Sequence, residues 1–397
     1  MKLGGRGSIL WRLILLLGVQ VGCTAVTAPP APPLLTPSPT EPATFLPFLM
    51  SHTTITPTPP PVTFYRGVDA SFLPQVEANG GLFYDAVGQD EALAIFARQG
   101  INSIRLRVWV SPTDGHSGTA EILALAQRIR THGLGLLLDI HYSDTWADPG
   151  HQIKPAAWAN MTQLELETAV HDYTRDLLLA LQAQNTPPDI VQIGNEITAG
   201  ILWENGRVGT GYEDNWPQLA ALLQAGLSGL QEALAPTATT RLMLHLDAGG
   251  NNATCRWFLD NLRAQGITFD LLGLSYYPWW HGSLDDLRAN LQDLSQRYPY
   301  DIIVVETAYP WTLAWNDNVH NLIGLENQLL PGYPATPQGQ AEFLHDLQEI
   351  VQTLPAEKGI GLYYWAADYI TTPQAGSFWE NVALFDFNGQ SLPALHN

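Results

Sequence analysis

The sequence predicts a parallel (β/α)8 barrel, that is, a TIM barrel. From residue 63 onward, short apolar segments alternate with longer amphipathic segments, and eight such alternations occupy about 335 residues. This number and this length are typical of a (β/α)8 barrel with long loops. A doubly wound open sheet is the main alternative. No Gly-rich phosphate loop follows a predicted strand, which weakens that alternative.

The first residues of the chain are predicted to be an export signal, residues 1–23. Three basic residues precede a short apolar stretch at residues 13–19, which is too short to span a membrane comfortably. Cys23 follows Val-Gly as in a bacterial lipoprotein cleavage box, although Gln20 stands where Leu is usual. We therefore expect a secreted, extracellular protein, either free or anchored to the cell surface through a lipid on Cys23.

Residues 24–62 are predicted to be a disordered linker. They contain 12 of the 29 prolines, many threonines and a single charged residue, Glu41. A segment of this composition cannot bury enough apolar surface to fold. The single catalytic domain is therefore expected to cover residues 63–397.

Within this domain, the apolar segments predict eight strands, over residues 65–71, 103–109, 135–141, 190–196, 241–246, 271–277, 302–307 and 361–365. Helical patterns lie between them, for example over residues 90–99, 120–131 and 164–184. Gly100 and Gly133 follow the first two of these helices as C-caps.

Two glutamates end predicted strands and are the candidate catalytic residues. Glu196 ends the fourth strand and Glu306 ends the seventh. The C-terminal mouth of a barrel brings such residues together, and hydrolysis of a glycosidic bond with retention needs two carboxyl groups about 5–5.5 Å apart. The alternative is that both carboxylates cap neighbouring helices. The favoured interpretation is a glycoside hydrolase.

Neighbouring residues indicate which catalytic role each of the two carboxyl groups has. Glu196 is the candidate acid/base, since Asn195 beside it could bind the sugar 2-hydroxyl. Glu306 is the candidate nucleophile and needs donors that keep it ionised. Tyr277, with Arg105 or Arg107, could supply them. The alternative for either arginine is a surface or barrel-bottom salt bridge.

Other strand ends contribute candidate substrate-binding residues, many of them aromatic. They are His141, Asp144 and Trp146 after the third strand, Trp279 and His281 after the sixth, and Trp365 as the floor of the −1 subsite. Trp203 and Trp311 are candidates for outer subsites. The alternatives are a structural role for the histidine and core packing for the tryptophans, although loops at the barrel mouth have little core to fill.

Composition narrows the range of partners. The formal net charge of −20 and the pI near 4.7 argue against binding to nucleic acid or an anionic membrane surface. A neutral polysaccharide is compatible with this charge. Two cysteines cannot provide a disulfide framework. A monomer is the default expectation.

Taken together, these segments resemble the glycoside hydrolase family 53 endo-β-1,4-galactanases. The similarity spans about residues 64–394 and includes Arg-Gly-Val-Asp-Ala-Ser at 66–71, with further matches at 102–109, 138–151, 191–197, 273–282, 304–311 and 327–334. The resemblance implies Glu196 as proton donor, Glu306 as nucleophile and β-1,4-galactan as substrate, with no required cofactor. Asp69, in the first matching stretch, joins the candidate substrate-binding residues.

Two features bear on this resemblance. The family's usual Trp-Glu-Pro-Ala-Trp after the eighth strand is replaced by Trp-Ala-Ala-Asp-Tyr at 365–369, which leaves the role of this loop open. Some bacterial members hold structural calcium after the seventh strand. Residues 316–320 here, Asn-Asp-Asn-Val-His, offer only one carboxylate. Calcium therefore stays an open expectation without assigned ligands, and no metal site is assigned.

Three alternative functions remain at this point. The first is a related barrel glycosidase acting on mannan or glucan. The second is a catalytically inactive carbohydrate-binding protein. The third is a metal-dependent barrel hydrolase built around Asp139 and His141, which the other strand ends do not support because they offer Asn, Glu, Tyr and Trp.

Overall fold

The structure is a computed structural model that describes residues 64–234 and 238–396. The predicted export signal, the lipidation site at Cys23 and the linker over residues 24–62 lie outside the described residues. Among the helices of the two described segments, none combines the length and hydrophobicity that a bilayer crossing requires.

Eight parallel strands close into a barrel, so the predicted fold class is confirmed. Each strand pairs with its neighbours in sequence, and the first pairs with the last. The strands are β1 (Tyr65–Asp69), β2 (Ser103–Val108), β3 (Gly135–Ile140), β4 (Ile190–Ile193), β5 (Arg241–Leu246), β6 (Leu271–Ser275), β7 (Asp301–Glu306) and β8 (Gly359–Tyr364).

Helices connect consecutive strands and surround the barrel. They are α1 (Leu73–Ala78), α2 (Ala92–Arg98), α3 (Thr119–Thr131), α4 (Gln163–Ala183), α5 (Trp216–Ala233), α6 (Asn252–Ala264), α7 (Pro278–His281), α8 (Leu284–Arg297) and α9 (Pro337–Gln352). The longest, α4, begins with a capping box in which Thr162 and Glu165 bind each other's backbone N–H groups. Its buried leucines face the barrel, as their spacing predicts.

Two apolar layers hold the barrel together. The larger lies between strands and helices. The smaller fills the lower interior of the barrel and consists of Leu137, Ile190, Met243, Leu271, Ile303, Val305 and Tyr363. Gly67 leaves room for the Tyr363 ring, since a Cβ atom at this position would lie 2.0 Å from Tyr363 Cδ1. The floor of the barrel is therefore closed, and polar chemistry is confined to its upper end.

Several strands end earlier than the sequence predicts, because the chain turns sharply at the barrel mouth. The fourth strand stops at Ile193 rather than residue 196, since Gly194 has φ +76° and Glu196 has φ +50°. Tyr142 and Ala366, just beyond β3 and β8, also have positive φ. For residues other than glycine this conformation is strained. Three of the strained residues, Tyr142, Glu196 and Ala366, therefore lie at the barrel mouth, where the candidate site is.

Candidate active site

A layer of buried polar side chains lies above the apolar floor of the barrel. Most strands contribute one residue near their C-terminal end, and the set is Asp69, Arg105, Asp139, Gln192, His245, Ser275 and Glu306. Buried polar groups need partners, and these residues bind one another. They form a continuous network beneath the barrel mouth.

Arg105, on β2, is the centre of this network. Its Nη1 atom lies 3.0 Å from Asp69 Oδ2 and 2.8 Å from Glu306 Oε1. Its Nη2 atom lies 2.8 Å from Asp139 Oδ2 and 2.8 Å from Asn195 Oδ1. Burial opposes the charge of Arg105, but the three carboxylates outweigh it and raise the pKa of the guanidinium. Arg105 is therefore a permanent cation beneath Glu306.

Glu306 is buried and has two donors, as the sequence predicts for a nucleophile. Arg105 binds its Oε1 atom, and the Tyr277 hydroxyl donates to Oε2 at 3.0 Å. Burial raises the pKa of Glu306 to about 7, and Arg105 and the Tyr277 hydroxyl act in the opposite direction. The pairing register between β6 and β7 shifts by one residue just before Glu306. Leu274 pairs with Val304, but Ser275 pairs with Glu306. Strict alternation after Ile303 and Val305, which face the interior, would have turned Glu306 outward.

Glu196 lies just past β4 and is half-buried. Ser275 Oγ lies 2.6 Å from Glu196 Oε1. Burial, followed by the charges of Glu306 and Asp247, raises the pKa of Glu196 well above its usual range. In the described part of the chain, no ion pair joins Glu196 to a cation that would oppose this rise, whereas Glu306 has Arg105. The two carboxyl groups therefore differ in proton affinity, and Glu196 is the one that holds a proton more tightly.

One strand holds both carboxyl groups in place. Ser275 binds Glu196 and Tyr277 binds Glu306, and these two residues are separated by one position at the end of β6. Positions i and i+2 of an extended chain point to the same side, about 6.5 Å apart. The two glutamates therefore meet over a single site at the barrel mouth.

Arg107 is not a donor to Glu306, which corrects one of the two predicted alternatives. It lies farther along β2, where its guanidinium carbon is 4.3, 4.9 and 4.1 Å from the ring centroids of Phe72, Trp109 and Trp146. Its Nε atom donates to Ser117 Oγ at 3.0 Å. Burial lowers the pKa of Arg107 to about 10. Its observed role is to support the aromatic wall of the site.

Four candidate binding residues have their polar atoms engaged within the protein. His141 contacts Asp139 through Nε2 at 2.9 Å and accepts from the Ala147 N–H through Nδ1 at 3.1 Å. Asp144 accepts from two backbone N–H groups of neighbouring loops. His281 accepts from the Tyr277 N–H at 3.0 Å. Asn195 donates to the Ala147 carbonyl at 2.9 Å. In the structure, these hydrogen bonds hold the four side chains in place.

Aromatic rings surround the two glutamates. Trp365 is half-buried and lies edge-on to Trp379, with centroids 4.7 Å apart, and to Trp146 at 6.1 Å. Trp279 lies 5.5 Å from Tyr277, and its Nε1 atom has no hydrogen-bond partner among the described residues. These rings offer apolar faces of the kind on which a sugar ring packs. Trp365, Trp146 and Trp279 are therefore gathered around one site.

The two outer tryptophans are attached to separate loops. Trp311 donates to the Glu380 carbonyl and packs on Phe387 at 4.6 Å. Trp203 donates to the Ala199 carbonyl, and the Arg207 guanidinium lies 4.1 Å above its ring. Neither tryptophan has a polar contact with the two glutamates.

The sequence-based prediction missed several network residues, although one signal was present. Gln192 and His245 interrupt otherwise apolar strands at positions facing the interior, as Asp139 does on β3. Buried polar residues in such places bind one another. Ser275 and Trp379 carried no comparable signal. Asp139 accepts from Arg105, Gln192 and His141, so its oxygens are occupied by donors instead of being open to a metal.

A second polar cluster lies under the loop that follows β7. Asp317 accepts from the Val319 and Ser377 N–H groups and from the Thr371 hydroxyl. Glu380 is buried, accepts from the Asn316 N–H at 2.7 Å through Oε1, and has no partner for Oε2 among the described residues. Burial raises the pKa of Glu380. The oxygens of Asp317 are thus occupied by donors, as those of Asp139 are, whereas Oε2 of Glu380 is an open carboxylate oxygen of the kind that Ca²⁺ prefers.

The protein was compared with known families, proteins and structures. The family model described as glycosyl hydrolase family 53 matches residues 65–397. The arabinogalactan endo-β-1,4-galactanase of Thermothelomyces thermophilus is 35% identical over 83% of this chain and 97% of its own length. An uncharacterized protein in the bgaB 5′ region of Niallia circulans is 44% identical over 83% of this chain and 92% of its own length.

A solved structure agrees with this result. The catalytic domain from Ignisphaera aggregans, described as GH53, is 39% identical with a TM-score of 0.79, over 86% of this chain and 97% of its own. The family match covers nearly all of the described residues, and both glutamates lie inside it. The chain therefore belongs to glycosyl hydrolase family 53.

Proposed function

We propose that this protein is an endo-acting, retaining β-1,4-galactanase in which Glu196 is the general acid/base and Glu306 is the nucleophile. The proposal rests on one observation: the two carboxyl groups have different charged and hydrogen-bonding neighbours. Glu306 has Arg105 and Tyr277 as donors, whereas no described residue forms an ion pair with Glu196. Retaining hydrolysis needs one ionised and one protonated carboxyl group.

In the first step, Glu306 attacks the anomeric carbon and Glu196 protonates the leaving oxygen. The C–O bond of the glycoside breaks as the bond to Glu306 forms. Since Glu306 loses its negative charge in the covalent intermediate, it no longer raises the pKa of Glu196. Glu196, which gave its proton to the leaving group, therefore stays ionised and can act as the base: it takes a proton from water as the water oxygen attacks the anomeric carbon, and the bond between the sugar and Glu306 breaks.

The substrate assignment rests on relatives. Proteins from Thermothelomyces thermophilus and Cellvibrio japonicus, each 35% identical to this chain, are named arabinogalactan endo-β-1,4-galactanases. A neutral galactan suits a protein with a net charge of −20 better than an acidic polymer would. The aromatic faces of Trp365, Trp146 and Trp279 supply stacking surfaces for galactose rings.

The experiment that tests the proposal compares substrates and variants. We expect release of reducing ends from β-1,4-galactan, and little from mannan or carboxymethylcellulose. Glu196→Gln should reduce kcat on galactan by about 10²–10⁴-fold. It should spare the first step on an aryl galactoside whose leaving group needs no proton. Glu306→Gln should abolish turnover of both substrates.

Three results would contradict the proposal. One is an absence of activity on galactan, and another is full activity of Glu306→Gln. The third is inversion of the anomeric configuration in the first-formed product, observed by NMR. A matched control is Glu349→Gln on the outer helix α9, which should behave like the wild type.

We also propose that the cluster around Asp317 and Glu380 binds a structural Ca²⁺ ion. The orphan Oε2 of Glu380 supports this assignment, since carboxylate oxygens are preferred ligands of Ca²⁺. Calcium at 100 times its dissociation constant would add about 2.7 kcal/mol of stability, and chelation should therefore lower Tm by several degrees. Glu380→Gln should remove the calcium dependence of Tm, and Mg²⁺ should not replace Ca²⁺. A Tm that is identical with calcium and with chelator would contradict the assignment.

A further inference from the structure

A chain of hydrogen bonds leads from Glu196 into the barrel. Ser275 Oγ lies 2.6 Å from Glu196 Oε1 and 2.9 Å from His245 Nε2. The other ring nitrogen, His245 Nδ1, lies 2.9 Å from Asn195 Oδ1. Ser275 and His245 are completely buried. The direction of each bond in this chain follows from counting donors and acceptors.

The amide of Asn195 can be oriented from its other contacts. Arg105 Nη2 lies 2.8 Å from one of its terminal atoms, and the Ala147 carbonyl lies 2.9 Å from the other. A guanidinium can only donate and a carbonyl can only accept, so the atom on the Arg105 side is the oxygen. This same oxygen faces His245 Nδ1.

The proton of His245 therefore lies on Nδ1. Burial, together with the charges of Arg105, His141 and His281, lowers the pKa of His245 well below its usual value, so the ring is neutral and has one N–H. Nδ1 faces an acceptor oxygen and needs this proton. Two N–H groups also face Nδ1, but the Glu196 N–H is 3.4 Å away, farther than the Asn195 oxygen at 2.9 Å, and Gln192 Nε2, at 3.2 Å, has the closer acceptor Asp139 Oδ1 at 2.5 Å. His245 Nε2 is then free to accept.

Ser275 has one proton and two neighbours that could take it. If its hydroxyl donates to His245 Nε2, the 2.6 Å contact with Glu196 requires a proton from Glu196. If Glu196 is ionised, Ser275 must donate to it, and His245 Nε2 is left without a donor. All bonds in the chain can form at once only when Glu196 is protonated.

We propose that His245 is a positioning residue that accepts the Ser275 proton, keeps it from Glu196, and so favours the protonated form of Glu196. The inference rests on the acid/base role proposed above. The other charged groups that face Glu196 are Glu306 from β7, Asp247 from the end of β5 and Asp148 from the loop after β3. The charges of those groups raise the pKa of Glu196 whether or not the hydrogen-bond chain is intact. The chain raises this pKa further, and that further rise requires His245 Nε2 as an acceptor.

The experiment measures the alkaline limb of the pH profile of kcat/KM on galactan, which reports the pKa of the acid in the free enzyme. His245→Asn can keep a donor to Asn195 and lacks the Nε2 acceptor. It should shift the limb downward by about half to one pH unit. His245→Gln keeps an acceptor near Ser275 and should shift it much less. Ser275→Ala should shift it upward, because the ionised form loses its donor and charged hydrogen bonds are the stronger ones.

A second measurement is independent of turnover. The Glu196 carboxyl can be titrated by ¹³C NMR in the inactive Glu306→Gln background, with and without each substitution. Opposite shifts in His245→Asn and Ser275→Ala are expected in both measurements. An unchanged Glu196 pKa in either variant, or equal shifts in His245→Asn and His245→Gln, would overturn the proposal.

The outcomes separate the two proposals. A wild type that does not cleave galactan contradicts the proposed function, while the NMR titration still tests the chain. A wild type that cleaves galactan but shows no opposite shifts contradicts the chain alone. Circular dichroism melting identifies a variant that does not fold. If that variant is His245→Asn, the ¹⁵N shifts of the His245 ring in the wild type decide the question, because a proton on Nε2 instead of Nδ1 would overturn the chain.

Discussion

Arg105 contacts the ends of four strands besides its own. Its two terminal nitrogens bind Asp69, Asp139, Asn195 and Glu306, all within 3.0 Å. A lysine has one compact ammonium group and could not reproduce this planar fork. The position of Glu306 is therefore fixed by the same side chain that holds the strand ends together.

Asp247 provides a prediction at the same scale. Its carboxylate raises the pKa of Glu196, and its Oδ1 atom has no hydrogen-bond partner among the described residues. In Asp247→Asn this charge is absent, so Glu196 should lose its proton at a lower pH. We expect the alkaline limb of kcat/KM on galactan to shift to lower pH, measured as a full pH–rate profile.

Asp346→Asn on helix α9 is the matched control, since the Asp346 carboxylate accepts from the Tyr333 hydroxyl and is not among the charges that raise the pKa of Glu196. Its profile should overlay that of the wild type. An upward or absent shift in Asp247→Asn would show that this charge does not act on the acid.

The choice between Arg105 and Arg107 could not be predicted from the sequence. Both residues alternate with apolar neighbours and face the barrel interior, as predicted. Their roles depend on how deep each side chain lies in the barrel, and the strand register sets this depth. Arg105 pairs with Asp69 of β1, whereas Arg107 lies one layer higher, against three aromatic rings. Those rings come from three different segments of the chain.

At the scale of the elements, β7 shows where strand prediction fails. The sequence correctly predicted this strand and the glutamate at its end. The orientation of Glu306 depends on the pairing shift against β6, which involves a residue 31 positions earlier in the chain. Periodicity within one strand contains no information about such a shift.

The capping box of α4 provides a prediction for an element remote from the site. Thr162→Ala removes the side-chain acceptor for the Glu165 N–H. The free energy of unfolding should fall by about 1 kcal/mol, with kcat/KM unchanged. Urea unfolding curves and a galactan assay would measure both. Thr168→Ala, inside the same helix, should cost no stability, and equal losses in the two variants would contradict the capping role.

The loop after β8 provides another prediction, because it contains a buried carboxylate without a partner. Both oxygens of Asp368 lack hydrogen bonds among the described residues, and burial raises its pKa well above the usual range. The folded protein thus binds a proton that the unfolded chain releases above about pH 4. Stability should fall as pH rises above that value.

Asp368→Asn does not titrate, so its Tm relative to the wild type should increase between pH 4 and pH 8. Differential scanning calorimetry across this range is the measurement. A Tm difference that is constant with pH would show that Asp368 is ionised in the folded protein. Tyr369, next to it, stacks on Phe72 with centroids 3.9 Å apart, so this loop packs against α1 despite its altered sequence.

For the molecule as a whole, the barrel and the positions of the two glutamates were predictable, since alternating segments and strand-end residues reveal them. The polar layer below the glutamates was predicted only in part. Its members are spread over seven strands, and their contacts depend on closure of the barrel. A single sequence indicates which residues end the strands, but not which of them meet.

The net charge of −20 leads to a prediction for the whole molecule. A neutral galactan has no charges that salt could screen, so KM should change less than about two-fold between 50 and 300 mM NaCl. Initial rates on galactan at several salt concentrations would test this. A KM on galactan that changes steeply with salt would contradict this expectation.

The left-handed backbone of Glu196, at φ +50°, has a consequence for protein engineering. Glycine or asparagine adopts this conformation more readily than glutamate does. A directed-evolution campaign that selects only for heat resistance would thus be drawn towards replacing this residue, and would recover robust but inert enzymes. Libraries of this protein need an activity screen at every round.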